Sequence, residues 1–297
     1  VSNLPTIWSN CLCGWLIGMG YVGIGPVDWS MLFWLCAGAS AIYLGGMYLN
    51  DACDVAFDRQ FRKERPIPSG VISEGAVWKI GIGLLATGVG VLSLQGGTTA
   101  LLALALFNCV LTYNFLHKKI FWSPLLIALC RFFLLLVAAS FAFATTNPDG
   151  SFFAHQRTDP AVPAPAGLAT WTALALCLYI SGLSCFAKVE SESGVARYWP
   201  CILLCSPVLL ALFVNPSGEN RKDALLVSVI LGLWVLRCLR FAFRKEKRDV
   251  GKTVGGLLAG ISLVDLLAVP LVSTELAGLF LGCFLLSLVA QRWVPAT

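Results

Sequence analysis

The most chemically loaded stretch of this chain reads Asn50-Asp51-Ala52-Cys53-Asp54-Val55-Ala56-Phe57-Asp58-Arg59. An α-helix advances about 100° per residue, so Asn50, Asp54, Asp58 and Asp51 project at about 0°, 40°, 80° and 100° and share one face. Carboxylates crowded together disfavour one another's ionised form unless a cation neutralises them. Hard carboxylate oxygens with an amide suit Mg2+, which completes its octahedron with water and substrate phosphates. The alternative is a solvated helix end whose acids pair with Arg59, Arg62 and Lys63. The regular spacing, the position at the end of an apolar run and the sequel Arg65-Pro66-Ile67-Pro68-Ser69-Gly70 favour the metal reading.

The elements that must position these acids are membrane helices. Of 297 residues, 58% are hydrophobic and 12% charged, with mean hydropathy +0.80, about half the charge of an ordinary soluble domain. Apolar runs fall at Ile7–Ile24, Trp29–Leu49, Gly75–Leu94, Thr98–Leu116, Phe121–Ala144, Gly167–Ala187, Trp199–Val214, Ala224–Phe243, Val254–Val272 and Leu276–Val289. Runs of this length predict transmembrane helices, and their continuity excludes the alternating pattern of a barrel. The expected fold is an all-α integral membrane protein of nine or, if the last two runs both span, ten helices.

Orientation follows from the basic residues, which accumulate in cytoplasmic loops. With a cytoplasmic N-terminus, that side receives Arg59, Arg62, Lys63, Arg65, Lys79, Lys118, Lys119, Lys188, Arg197, the Arg237–Lys252 group and Arg292, against only Arg157, Arg221 and Lys222 opposite. The net charge of +5 is then a topology signal that also favours anionic lipid headgroups, with no reason to invoke nucleic acid. Almost all of the twelve cysteines sit inside apolar runs as packing residues, and His117 and His155 are too few for a zinc site. No secretory leader is expected, because the first run lacks a basic flank and a small-residue cleavage site. The Pro-bearing stretch Thr145–Ala166 reads as a connector between pseudo-repeat halves, about 1–145 and 167–297, of one transmembrane domain. Each half carries its polar loop after its second span.

Asn50, Asp54 and Asp58 followed by Arg65-Pro66 and Gly70 resemble the first motif of the UbiA superfamily of intramembrane prenyltransferases, NDxxDxxxD with an R-P-x-x-x-G sequel. The Ser2–Asn10 opening, Tyr113 with Lys118, and the second polar loop extend the likeness over the whole chain. The resemblance implies a helical bundle with a central cytoplasm-facing cavity. There, Mg2+ held by Asn50, Asp51, Asp54 and Asp58 bridges a prenyl diphosphate, and a small-molecule acceptor captures the prenyl group. Asp54, Tyr113, Lys118 and Lys188 would be catalytic, Tyr113 lying beside the reacting carbon, and Arg65, Lys118, Lys188 and Arg131 would contact the diphosphate.

Where the family carries a second aspartate motif, this chain reads Lys188-Val189-Glu190-Ser191-Glu192. Glu190 and Glu192 are candidate ligands of a second metal, the alternative being a solvated charged turn. This loop, with Ser123-Pro124-Leu125 and Cys130-Arg131, looks most like the EboC-like branch. Arg131 and Asp265 lie deep in apolar runs, where isolated charges are costly. They are expected to pair directly, or Arg131 faces the substrate cavity. The leading function is Mg2+-dependent transfer of a polyprenyl group to an aromatic or other polar acceptor. The runner-up is binding or export of a prenylated or other small metabolite without standard transfer. An ion-coupled transporter is disfavoured, because it would spread ionisable groups over several mid-membrane helices. The oligomeric state is not legible.

Overall fold

A computed structural model describes residues 2–20, 27–118, 120–155, 164–192, 199–214, 219–243, 249–269 and 272–293. Among the residues singled out above, Lys119, Arg157, Arg197, Arg244–Arg248 and the side chains of Glu190 and Glu192 lie outside this description.

The described residues form helices and no strand. In order these are α1 Leu4–Gly18, α2 Trp29–Cys53, α3 Val55–Phe61, α4 Glu74–Ser93, α5 Gly97–Leu116, α6 Ser123–Thr146, α7 Pro165–Glu192, α8 Pro200–Leu204, α9 Ser206–Val214, α10 Glu219–Phe243, α11 Val250–Ala259, α12 Ile261–Ala268 and α13 Thr274–Trp293. Eight stretches among them are long and apolar enough to cross a membrane: α2, α4, α5, α6, α7, α10, α13 and the α11–α12 pair, which runs almost without a break across Gly260. The helix α1, of 15 residues, and the apolar stretch Pro200–Phe213 are shorter. The latter is split at Cys205 into α8 and α9, where Pro207, the second residue of α9, has no N–H to continue the hydrogen-bond ladder. The last two expected spans are separate elements, α11–α12 and α13.

Short as it is, α1 lies at the centre. Cys11, Cys13, Trp15, Leu16 and Ile17 are all buried, and the helix packs on α2, α6, α7, α12 and α13. The outer helices α10 and α13 instead present Leu226, Val229, Leu233, Leu285 and Val289 outward. In hydrocarbon such exposure carries no hydrophobic penalty, so helix pairing must come from close packing.

The α2–α4 pair shows how. A Cβ at Gly45 would lie 2.8 Å from the Gly81 carbonyl oxygen, and one at Gly88 would lie 2.7 Å from that of Gly38. Of the small residues along α4, Gly81 and Gly88 therefore face α2, whereas Gly83 and Gly90 face open space. Asp28 starts α2 by accepting hydrogen bonds from the backbone of Ser30 and Met31 at 3.0 and 3.1 Å. Ser73 caps α4 through Ala76 N. With both helices started and locked side by side, the acidic end of α2 is held beside the start of α4.

Candidate functional site

The acid-bearing face survives the boundary between α2 and α3. Asp54 N donates to Asn50 O at 3.0 Å and Asp58 N to Asp54 O at 2.9 Å, so the i to i−4 ladder runs through the junction. Asn50, Asp54 and Asp58 therefore stack on successive turns, as their spacing predicts.

The partners of these acids differ from the solvated alternative. Arg59 pairs with Glu74 at 3.1 Å, which ties α3 to the start of α4 and leaves the motif acids to other cations. Asp51 binds Arg65 at 2.9 Å. Asp54 binds Lys118, just beyond α5, at 2.6 Å. The Lys118 ammonium also sits 4.6 Å from the centre of the Phe57 ring, close enough for a cation–π contact.

Asp58 stands apart. It is 3% exposed, and its carboxylate has no hydrogen-bond or ion-pair partner among the described residues. Its carboxylate is therefore the motif acid that no described cation engages.

The loop after α3 explains the Arg-Pro-x-x-x-Gly pattern. Ser69 N donates to Arg65 O, Gly70 N to Ile67 O and Ile72 N to Pro66 O, which folds residues 65–72 into a compact turn. Gly70 adopts φ +78°, a left-handed conformation that glycine takes without steric penalty. Arg65 anchors this turn to the end of α2 through Asp51.

On the α5 side, Tyr113 stacks on His117 with ring centres 5.0 Å apart. His117 Nδ1 lies 3.1 Å from Tyr113 O, the geometry of an Nδ1–H donor, while Nε2 faces Asp54 Oδ1 at 3.9 Å. Lys188 donates to Phe121 O at 3.2 Å and lies over the Phe121 ring, so α7 reaches the turn between α5 and α6. Among the described residues no group of three His, Cys, Asp or Glu side chains is arranged to hold a metal ion. The donors available are one buried, unpartnered carboxylate, a second carboxylate shared with Lys118, and the Asn50 amide. That set fits Mg2+ if water and substrate phosphates complete the shell, as they ordinarily do for this ion.

The expected direct Arg131–Asp265 pair is corrected by the geometry. Arg131 donates to Asn10 Oδ1 at 2.6 Å, Thr6 O at 3.0 Å and Thr6 Oγ1 at 2.9 Å. Asn10 Nδ2 donates to both oxygens of Asp265 at 2.8 Å, and Ser9 Oγ adds a bond at 2.6 Å. The charges on α6 and α12 are thus joined through an amide on α1. Sequence reasoning missed Asn10, although a buried asparagine within an apolar run was the available signal. It also missed His117 and Asn114, which lie beside the Asp54–Lys118 pair.

The UbiA prenyltransferase family matches residues 11–261. This chain belongs to that family. A digeranylgeranylglyceryl phosphate synthase of Ignicoccus hospitalis is 38% identical over 114 residues, which span 38% of this chain and 37% of that protein. The solved apo structure of a UbiA homologue from Aeropyrum pernix K1 superimposes with TM-score 0.65 at 15% identity, covering 87% of this chain and 94% of that one. A solved digeranylgeranylglyceryl phosphate synthase gives TM-score 0.60 at 18% identity, covering 91% and 94%. At such identities the two structures show the fold. The protein is an integral membrane protein of UbiA-like architecture.

Proposed function

We propose that this protein is a Mg2+-dependent prenyltransferase that moves a polyprenyl group from its diphosphate to an aromatic or other polar acceptor at the membrane. The observation that carries the reading is Asp58, buried without a partner on the same helical face as Asn50 and Asp54. Asn50, Asp54 and Asp58 would hold the metal. Bound there, Mg2+ would neutralise charge building on the departing diphosphate.

The chain's own groups complete the site. Lys118, which pairs with Asp54, would turn towards diphosphate oxygens as a charge-assisted donor. Arg65 would do the same from its turn, with Asp51 holding it. Tyr113 offers an aromatic face to a developing allylic cation. Lys188, Glu190 and Glu192 on α7 would serve a second metal and the far end of the diphosphate, and Arg131 would border the cavity from α6. In this reading the motif end faces the cytoplasm, where the basic residues gather, and the chain is one domain of nine or ten spans built from two pseudo-repeat halves.

The Ignicoccus relative is named for a glyceryl phosphate product, so an isoprenoid glyceryl phosphate belongs among the acceptors to be tried. One specific observation favours the second reading, an EboC-like binder or exporter without standard transfer: no aspartate stands at Lys188–Glu192. Purified protein incubated with geranylgeranyl diphosphate and Mg2+, followed for diphosphate release with and without acceptors, separates the two. Release abolished by EDTA and by Asp54→Ala supports transfer. Tight binding without release across acceptors supports the binder.

A further inference from the structure

The outward stripe of α10 does not end in apolar residues. At about 100° per residue, Arg237 and Arg240 project within about 40° of both Leu226 and Leu233, so they continue the lipid-facing stripe. On α13, Arg292 projects about 20° from Leu285 and does the same. All three arginines are exposed. The two stripes stand side by side, because Trp234 of α10 and Phe284 of α13 meet edge to face with ring centres 4.8 Å apart. Behind them lies the start of α11. Trp234 Nε1 donates to Gly256 O at 2.8 Å, and a Cβ at Gly255 would lie 2.9 Å from Gln291 Oε1. Phe243, the last residue of α10, meets Phe186 of α7 at 6.2 Å, which puts these arginines at the same end of the bundle as Lys188.

The cations here differ from those of the motif. Arg59, Arg65 and Lys118 each bind a carboxylate, whereas Arg237, Arg240 and Arg292 form no salt bridge among the described residues. The acid nearest in sequence, Asp249, binds Lys252 Nζ at 2.9 Å and accepts from Lys252 N at 2.9 Å, capping α11. Helix dipoles favour cations in the last turn, which accounts for Arg240 and Arg292. Arg237 stands outside that account, six residues or about 9 Å before the end of α10. An arginine on a hydrocarbon-facing stripe at that depth is costly unless an anion meets it, and its aliphatic stem lets the guanidinium reach outward to one. That guanidinium lies 5.7 Å from the centre of the Trp234 ring, on the side of α10 that meets α13.

We propose that this end of the α10–α13 face binds an anionic phospholipid, with the phosphate between Arg237 and Arg292, Arg240 and Lys252 adding to the positive field, and the acyl chains over Leu233, Leu285 and Val289. Bound there, the lipid clamps α10 to α13. The site does not depend on the prenyl-transfer reading, and the bilayer is its source of ligand.

The test uses the purified chain in uncharged detergent, titrated with dioleoyl phosphatidylglycerol or dioleoyl phosphatidylcholine. Melting temperature and the lipid retained in native mass spectra are both read. Phosphatidylglycerol is expected to raise the melting temperature to a plateau and to stay bound, since a ligand of the folded state stabilises it, and phosphatidylcholine is not. Arg237→Gln and Arg292→Gln should each weaken phosphatidylglycerol binding about fivefold, the worth of one basic residue at an anionic surface. Lys79→Gln, which removes the same charge from an exposed position on α4, should leave binding unchanged. Equal stabilisation by phosphatidylcholine, equal stabilisation by inorganic phosphate, equal weakening in Lys79→Gln, or undiminished binding in the double arginine variant overturns the site. Lipid retained by the wild type reads the preference even if an arginine variant fails to fold.

Discussion

Asp51 and Arg65 are joined across 2.9 Å, one at the end of α2 and the other at the start of the turn that follows α3. Their side chains are 41% and 30% exposed, so the pair adds little to stability, about 0.2–1 kcal/mol. Its consequence is positional, since it decides where the Arg65 guanidinium waits. If Asp51 acts through Arg65, Asp51→Asn and Arg65→Ala weaken prenyl diphosphate binding to similar extents, and the double variant is no worse than either alone. Additive losses in a binding titration, with Mg2+ affinity falling in Asp51→Asn, would instead make Asp51 a direct ligand.

Asp58 separates folding from metal binding. Replacing it with Asn keeps the shape of the side chain and removes a charge that pairs with no group among the described residues. Asp58→Asn is expected to leave the melting temperature of the metal-free protein nearly unchanged, because no protein contact of the carboxylate is lost. The same variant should lose the Mg2+ dependence of prenyl diphosphate binding. Thermal unfolding in EDTA and a binding titration with and without Mg2+ read the two effects separately. A lower melting temperature would show that Asp58 has a partner in the resting protein.

The motif face was legible because it is local: the spacing from Asn50 to Asp58 is a property of one helix, and the ladder through Asp54 preserves it. The partners were not legible in the same way. Lys118 reaches Asp54 from a different element, and Asn10 meets Arg131 and Asp265 across 121 and 255 positions of chain. No periodicity encodes such pairings, which arise only once α1, α6 and α12 pack together. The direct Arg131–Asp265 pair was inferred from two charges at similar depth, and depth alone does not say which polar group stands between them. The break between α8 and α9, inside the run read as Trp199–Val214, has its local signal in Pro207, which mean hydropathy averages away.

The glycines of α4 make a positional prediction. Gly88→Leu places a side chain against the backbone of α2, where the Gly38 carbonyl stands 2.7 Å from the new Cβ, and overpacking of this kind costs about 1–3 kcal/mol. Gly90→Leu, two residues away and facing open space, should be neutral or slightly stabilising through its better helix propensity. Detergent-resistant folded fraction and melting temperature distinguish the two. Equal effects at both positions would show that α4 does not present this face to α2.

Asn10 is expected to be the most sensitive polar residue in the core. It accepts from Arg131 and donates to both oxygens of Asp265, so Asn10→Leu removes bonds from two charges at once while keeping side-chain bulk. Leaving a buried charge uncompensated costs about 3–5 kcal/mol, and Asn10→Leu should fall in that range by thermal unfolding. Asp265→Asn should cost less, because Ser9 and one amide hydrogen bond can be kept. The triple variant Asn10→Leu, Arg131→Met, Asp265→Leu replaces the whole network by apolar side chains and should recover most of the lost stability, since satisfied buried ion networks are often no more stable than well-packed hydrocarbon. Prenyl diphosphate binding in that triple variant then separates two roles of Arg131. Recovered folding with normal binding means that the arginine only ties α6 to α1, whereas recovered folding with lost binding places its guanidinium on the substrate.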